Sequence, residues 1–133
     1  MACPFFLPTR MLDRGAWTNP PRLPLGEPYY GTCLARPSDV FSASETVQRE
    51  LCNCGYARGR CERFPADSAA DAVRFSIKGE TDGRVRLIYI VEKDHAPVEH
   101  GELEYNGGVS GNSSELLQAQ ARAFAESYLR HRV

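Results

Sequence analysis

The sequence predicts an α+β fold. An irregular N-terminal half rich in proline and cysteine, with one helix, precedes a three-stranded antiparallel meander and a C-terminal helix. Seven of the nine prolines lie before residue 38, and all five cysteines lie before residue 62. Strand-like alternation begins only at Val73, and helical periodicity follows the last strand. We expect one domain, 1–133, with a cysteine-rich metal-binding half (1–65) and a meander-and-helix half (66–133).

Proline at this density disfavours helix and central strand over residues 1–38. The same segment carries large apolar side chains, including Phe5, Trp17 and Tyr30, in greater number than a solvated linker does. A long ordered loop inside a compact domain is unusual. We therefore expect a bound metal to tie this segment to the fold, and removal of the metal to loosen residues 1–62 first.

The first helix is predicted to begin near Ser42, because Glu45 follows three residues later in the form of a capping box. Val47, Leu51 and Cys54 then recur at helical spacing and give one apolar face. The residue after Cys54 is a glycine, which suits the left-handed end of a helix.

The second half has clear strand signals. Alternating residues from Val73 indicate a half-buried strand, Asp82-Gly83 indicates a hairpin, and residues 84–93 read as a central strand. His95-Ala96-Pro97 is expected to break the pattern before a third, more exposed strand that contains Leu103 and Tyr105.

The last helix is predicted from a cap at Asn112 with Glu115 to about residue 131. Its apolar stripe is formed by Leu117, Ala121, Phe124, Ala125 and Tyr128.

Charge and hydropathy exclude several classes of function. With 16 basic and 17 acidic residues the net charge is −1, which argues against general binding to nucleic acid or anionic membranes. No secretory signal and no apolar run of about 20 residues is visible. We expect a cytoplasmic protein with reduced thiols, and a redox or scaffold protein as its partner.

The five cysteines carry the sharpest chemical signal. Cys54 lies on the predicted apolar helix face and reads as a small buried hydrophobe. Cys3, Cys33, Cys52 and Cys61 instead lie in irregular sequence or at a helix end, beside proline, glycine or aromatic residues. Four thiolates are the number that a closed zinc site or a [4Fe–4S] cluster requires. These four cysteines are therefore the predicted ligands.

The spacing of the ligands bears on the identity of the metal. Structural zinc sites usually draw on C-x₂₋₄-C pairs, and this chain has none. Widely separated single cysteines suit a cubane, and Cys3-Pro4 resembles the cysteine–proline end of ferredoxin motifs. Arg58, Arg60 and Arg63 surround Cys61 in sequence and are expected to offset cluster charge. The sequence favours [4Fe–4S], with a structural zinc-binding interaction module as the alternative.

Other chemistry has weaker support. No nucleophile elbow, phosphate-binding loop, dinucleotide fingerprint or H-E-x-x-H motif occurs, which disfavours an enzyme. Cys52 and Cys54 form a C-x-C pair and leave a thiol-redox enzyme as a further alternative. His95 and His100 flank a predicted turn, and a solvated turn explains them better than a second metal site.

Four segments resemble a family of small bacterial Cys-rich proteins: Ala2 to Phe6, Trp17 to Gly26, Cys52 to Ala57, and Asp94 to Tyr105 with its Pro-Val-Glu-His-Gly sequence. The resemblance covers most of the chain. It implies that Cys3, Cys33, Cys52 and Cys61 are the recurring cysteines and that the position of Cys54 is usually apolar. The family brings no established activity, so the resemblance supports the ligand set and implies no function.

Overall fold

The computed structural model describes residues 2–11, 25, 29–35, 41–110 and 114–131. Trp17, Asn112 and most prolines of the N-terminal segment lie outside the described residues. The elements are strands β1 (Phe6–Met11) and β2 (Tyr29–Cys33), helix α1 (Glu45–Val47) continuing as a π-helical turn (Gln48–Cys52), strands β3 (Ala72–Thr81), β4 (Arg84–Lys93), β5 (Ala96–Tyr105) and β6 (Val109–Ser110), and helix α2 (Glu115–His131). The predicted α+β class is confirmed.

The larger sheet is antiparallel, in the order β3-β4-β5-β6. Its first hairpin turns at Asp82-Gly83, where φ is 53° and 80°, and its second at Asp94-His95, where φ is 51° and 64°. Two consecutive left-handed residues are the turn whose twist matches paired strands. The predicted hairpin at Asp82-Gly83 and the predicted strand 84–93 are both confirmed.

The meander differs from the prediction in two respects. A short fourth strand, β6, pairs with Glu104 and Tyr105. The break expected at His95-Ala96-Pro97 falls one residue earlier, so Ala96 and Pro97 belong to β5. Proline is accepted there because β6 reaches only the far end of β5, which leaves Pro97 on a sheet edge in the described structure.

The prediction of an irregular N-terminal half was wrong for two segments. β1 and β2 pair antiparallel as a separate two-stranded sheet, with Phe6 opposite Cys33. Pro8 lies within β1, where the register shifts between Pro8 and Arg10. Both strands of a two-stranded sheet are edge strands, and an edge strand can contain a proline without losing a hydrogen bond of the sheet. Proline density excluded a central strand but not this ribbon.

The first helix is shorter than predicted. It begins at Glu45, and the N-cap is Ser44 instead of Ser42: the Ser44 Oγ accepts from the Val47 N–H at 3.3 Å. After three residues it widens into the π-helical turn, in which the Asn53 N–H donates to the Gln48 carbonyl at 2.9 Å. The predicted left-handed glycine is present, since Gly55 has φ 76°.

Helix α2 covers one face of the larger sheet and also contacts β1. The Ser114 Oγ caps it by accepting from the Leu117 N–H at 3.1 Å. One hydrophobic core joins the two sheets and the helix, so the two halves of the sequence share an interior. In the described residues, no helix is long and apolar enough to cross a membrane.

Candidate metal centre

The four cysteines selected from the sequence line one small pocket. Cys3, Cys33, Cys52 and Cys61 share its wall with six apolar residues: Phe5, Phe6, Ala35, Leu51, Ala57 and Phe64. The enclosed space is about 20 Å³. Segments far apart in sequence therefore bring four thiols to one apolar location. Cys54 is absent from the lining.

Backbone hydrogen bonds from two directions fix Cys3. Its N–H donates to the Cys52 carbonyl at 3.0 Å, which joins two of the four cysteine segments directly. Its own carbonyl accepts from the Phe6 N–H at 3.1 Å and closes a tight turn. The preceding residue, Ala2, exchanges two backbone hydrogen bonds with Val73, at 2.7 and 2.8 Å. Cys3 is consequently anchored to the edge of β3.

Cys33 and Cys61 lie on two further segments. Cys33 ends β2, and its N–H donates to the Phe41 carbonyl at 2.6 Å. Cys61 lies in a turn where its N–H donates to the Ala57 carbonyl at 2.8 Å. Gly59 has φ 79° in that turn, a conformation that suits glycine. Both side chains are half-buried.

Cys52 is the last residue of the π-helical turn. An inserted residue in a helix changes the direction of the side chains that follow, and such turns are frequent at functional sites. Here Cys52 lies on the pocket wall, and Cys54 is not among the lining residues. The Cys54 Sγ donates to the Arg49 carbonyl at 3.4 Å.

Burial dominates the protonation of the thiols. It raises the pKa of Cys3 to about 12, and the Phe5 backbone N–H acts in the opposite direction. It also raises the pKa of Cys52 to about 12. Both thiols are further disfavoured as anions by Cys33 and Cys61. The metal-free protein at neutral pH therefore holds Cys3 and Cys52 as neutral thiols, and a cation is needed to stabilise them as thiolates.

Two of the three arginines near Cys61 contact neighbouring segments, and their predicted effect on a cluster charge stays a prediction. The Arg58 Nε donates to Asp71 Oδ1 at 2.8 Å, and the guanidinium lies 5.4 Å from the Phe64 ring centroid. Arg63 lies 4.3 Å from the centroid of Phe41. Both anchor the segments that carry Cys33 and Cys61. Burial is the largest cause of the raised pKa of Cys3 and Cys52, and the neighbouring charges that raise it further are those of other thiols.

A preformed single-ion site is absent: in the part of the chain that the structure describes, no group of three or more His, Cys, Asp or Glu side chains is arranged around one ion position. Tetrahedral zinc with four thiolates would set the sulfurs about 3.8 Å apart. The donor types nonetheless suit a thiolate-loving metal group, because four cysteines line one apolar pocket and no oxygen ligand is among its lining residues.

Sequence reasoning missed three buried polar residues whose side chains bond to β2 or to the Cys3 carbonyl. Gln48, Asn53 and Gln120 are each 1% exposed or less. One signal was available for Gln120, which interrupts the apolar stripe of α2 three residues after Leu117. A polar residue at a core position is normally there to make hydrogen bonds.

The histidines lie apart from this site. The His95 ring stacks on Tyr56, with centroids 4.2 Å apart, in the turn between β4 and β5. His100 is exposed on β5. The predicted solvated turn is therefore correct for His95 and wrong for His100, which lies within β5 opposite Ile90.

No family model, no curated protein and no solved structure matched the chain when it was compared with all three. The resemblance to small bacterial Cys-rich proteins stays a prediction.

Proposed function

We propose that this chain is a small iron–sulfur protein in which Cys3, Cys33, Cys52 and Cys61 hold a [4Fe–4S] cluster. One observation carries the proposal: four of the five cysteines, drawn from four separate segments, line a single apolar pocket. Thiols scattered as independent core residues have no reason to converge. The fifth, Cys54, bonds a helix carbonyl instead.

The surroundings suit a cluster. When bound, a [4Fe–4S] cluster supplies one-electron transfer or a structural cross-link. Phe5 and Phe64, which both line the pocket, contact each other edge to face with ring centroids 5.5 Å apart. The Phe5 N–H that favours the Cys3 thiolate is the kind of hydrogen bond that tunes cluster potentials.

The pocket must widen to accept a cubane. Its volume of about 20 Å³ is near the room for one water molecule. Cys33, Cys52 and Cys61 are half-buried, whereas Cys3 is 8% exposed. The three half-buried cysteines would hold a cluster on the more open side of the pocket, and Cys3 would hold it from the buried side. The same open side suits electron exchange with a protein partner.

A single structural zinc ion is the second candidate, and the small volume of the pocket favours it. One ion needs less widening than a cubane. In that case the chain is an interaction module whose N-terminal sheet the metal stabilises.

A thiol-redox pair of Cys52 and Cys54 has the least support. Burial raises the pKa of both thiols, whereas reactive cysteines have a lowered pKa.

Anaerobic purification with metal analysis tests the proposal. A brown protein that absorbs near about 400 nm and contains four irons and four sulfides per chain supports it. A colourless protein with one zinc per chain favours the second candidate. A colourless protein that takes up neither metal after reduction and reconstitution refutes both.

Ligand identity is tested by single substitutions in the loaded protein. Cys33→Ser, Cys52→Ser and Cys61→Ser should each lose most bound metal, because a hydroxyl replaces a thiolate donor. Cys54→Ala is the matched control and should keep the metal. Equal metal content in all four variants would contradict the assignment.

A further inference from the structure

Two buried amide side chains pair with β2 as a neighbouring strand would. Asn53 Oδ1 accepts from the Tyr29 N–H at 2.9 Å, and its Nδ2 donates to the Tyr29 carbonyl at 2.9 Å. Gln48 Oε1 accepts from the Gly31 N–H at 2.8 Å. Both amides belong to the π-helical turn and the residue after it. They therefore join the segment that carries Cys52 to the strand that ends in Cys33.

A third buried amide holds the Cys3 turn. Gln120, in the middle of α2, donates from Nε2 to the Cys3 carbonyl at 2.8 Å and to the Phe6 carbonyl at 2.7 Å. It is fully buried. Its two acceptors are the ends of the turn from Cys3 to Phe6, so it fixes the turn as a unit.

Neutral amides are well matched to this task. A buried lysine or carboxylate would cost several kcal/mol in desolvation and would shift the protonation of adjacent thiols. A carboxamide offers a donor and an acceptor without charge, and it needs no metal to form its bonds. Hydrogen-bonded partners of this kind commonly orient metal ligands and affect affinity.

We infer that Gln48, Asn53 and Gln120 are positioning residues that bring Cys3, Cys33 and Cys52 together before metal binds. The inference rests on the proposed function for its consequence, which is fast and tight cluster loading. In the metal-free chain, the three cysteine segments should stay paired through these bonds.

The test compares two polar residues on the same helix. Gln120→Met keeps the size of the side chain and removes the bonds to the Cys3 turn. Ser127→Ala is the matched control, because Ser127 is 2% exposed and its Oγ lies 3.0 Å from the Tyr29 hydroxyl. Tyr29 belongs to a segment without a direct bond to Cys3. Both variants lose buried hydrogen bonds and some stability.

In the reconstituted full-length protein, Gln120→Met should lose iron to a chelator about 10- to 100-fold faster than wild type. Its visible and electron paramagnetic resonance spectra should also change. Ser127→Ala should keep the wild-type rate and spectra at a comparable loss of thermal stability. Equal behaviour of the two variants would reduce Gln120 to a packing residue and overturn the inference.

A metal-free measurement separates this inference from the proposed function. In reduced metal-free protein, alkylation of Cys3 by iodoacetamide should be slow in wild type and in Ser127→Ala. It should be at least about tenfold faster in Gln120→Met, because the turn is released. If wild type binds no iron yet this pattern holds, the iron–sulfur proposal fails and the positioning role stands. If the rates are equal, the positioning role fails.

A second variant tests the inference independently if Gln120→Met does not fold. Gln48→Met removes the bonds from the side chain to Gly31 and Ala43, the latter at 2.7 Å. It should speed alkylation at Cys33 and leave Cys3 protected. Faster alkylation at both cysteines, or at neither, would contradict the assignment of separate amides to separate segments.

Discussion

The two halves of the molecule are built on different principles. In the sheet half, long backbone ladders pair β3 with β4 and β4 with β5, and alternating side chains enter the core. In the cysteine half, short strands depend on side chains, because Gln48 and Asn53 complete the hydrogen bonding of β2. The sheet half is therefore held by repeating backbone structure, and the cysteine half depends on a few individual polar contacts.

Buried polar groups also join the two halves. Arg58, on the Cys61 turn, pairs with Asp71 at the start of the sheet half, and the Asp71 side chain is 3% exposed. Asp71 Oδ2 accepts from the Asp94 N–H at 2.9 Å. The Tyr56 hydroxyl donates to Glu92 at 2.7 Å. Breaking this junction tests whether the cysteine half stands by itself.

The largest effect is expected from Asp71→Asn. The change leaves the Arg58 guanidinium without its counter-ion and weakens an acceptor for the Asp94 N–H. Removing one partner of a buried pair costs about 3 kcal/mol or more, and the exposure of Arg58, which is 30%, keeps this loss near the lower figure. Chemical denaturation should show this loss. Glu102→Ala, which breaks the exposed Lys78–Glu102 pair, is the control and should change stability little.

Acid sensitivity checks the same junction. The Asp94 N–H lowers the pKa of Asp71, and the Tyr56 hydroxyl lowers the pKa of Glu92. A carboxylate with a lowered pKa in the folded state contributes stability above its unfolded pKa of about 4, which is lost as pH falls through the folded value. Wild type should thus lose stability below about pH 4, and Asp71→Asn should lose less over that range. If wild type and Asp71→Asn lost the same stability over this range, the charge of Asp71 would not stabilise the junction.

Gly31→Ala should have the next largest effect, and it acts only on the cysteine half. A Cβ at Gly31 would lie 2.0 Å from the Leu7 carbonyl oxygen, so β1 and β2 must separate. Overpacking of this kind costs about 2 kcal/mol, and hydrogen exchange should rise in both strands while β3–β5 stay protected. Gly108→Ala meets no atom within 4 Å and serves as the control. Uniform loosening of both halves would show that they unfold as one unit.

The contrast between the halves also explains what the sequence can reveal. Strand 84–93 and the Asp82-Gly83 turn are readable because periodicity and turn chemistry are local signals. The N-terminal ribbon was missed because Pro8 argues against a strand until its edge position is known. Gln120 and its bond to Cys3 join residues at opposite ends of the chain, and no local pattern encodes such a contact.

The candidate ligands could be selected from the sequence although the N-terminal strands were missed. Cysteines beside proline, glycine and helix ends were selected by neighbourhood, without any need for the correct strands. Cys54 was set apart because of a helical face, yet the helix ends at Cys52. The prediction of a small buried hydrophobe was wrong for Cys54, because its side chain is half-buried and lies outside the hydrophobic core of the described residues.

Metal removal should produce a smaller and local change. We expect hydrogen exchange to rise about tenfold in residues 57–64, which corresponds to about 1.4 kcal/mol of local opening. The amide bonds limit the loss in β2 and in the Cys3–Phe6 turn, and β3–β5 should be unchanged. The comparison is between anaerobically purified protein and the same sample after treatment with a chelator and reductant. Faster exchange in β4 would indicate that the metal supports both halves alike.

The smallest expected effect of a single side chain is an alkaline loss of stability in the metal-free protein, measured near about pH 9. Burial raises the pKa of Cys3 and Cys52 to about 12, whereas an unfolded thiol has a pKa of about 8.5. Above pH 8.5 the unfolded chain therefore releases protons that the folded chain retains, so folded stability is complete below that pH and falls as pH rises. At pH 9 the loss is about 1 kcal/mol per thiol. Cys52→Ala should flatten the curve between pH 8 and about pH 10, and Cys54→Ala should flatten it less.

Metal-loaded protein should show the opposite trend, because ligation already holds the thiolates and acid competes with the metal for them. An identical pH response with and without metal would mean that these thiols do not bind it.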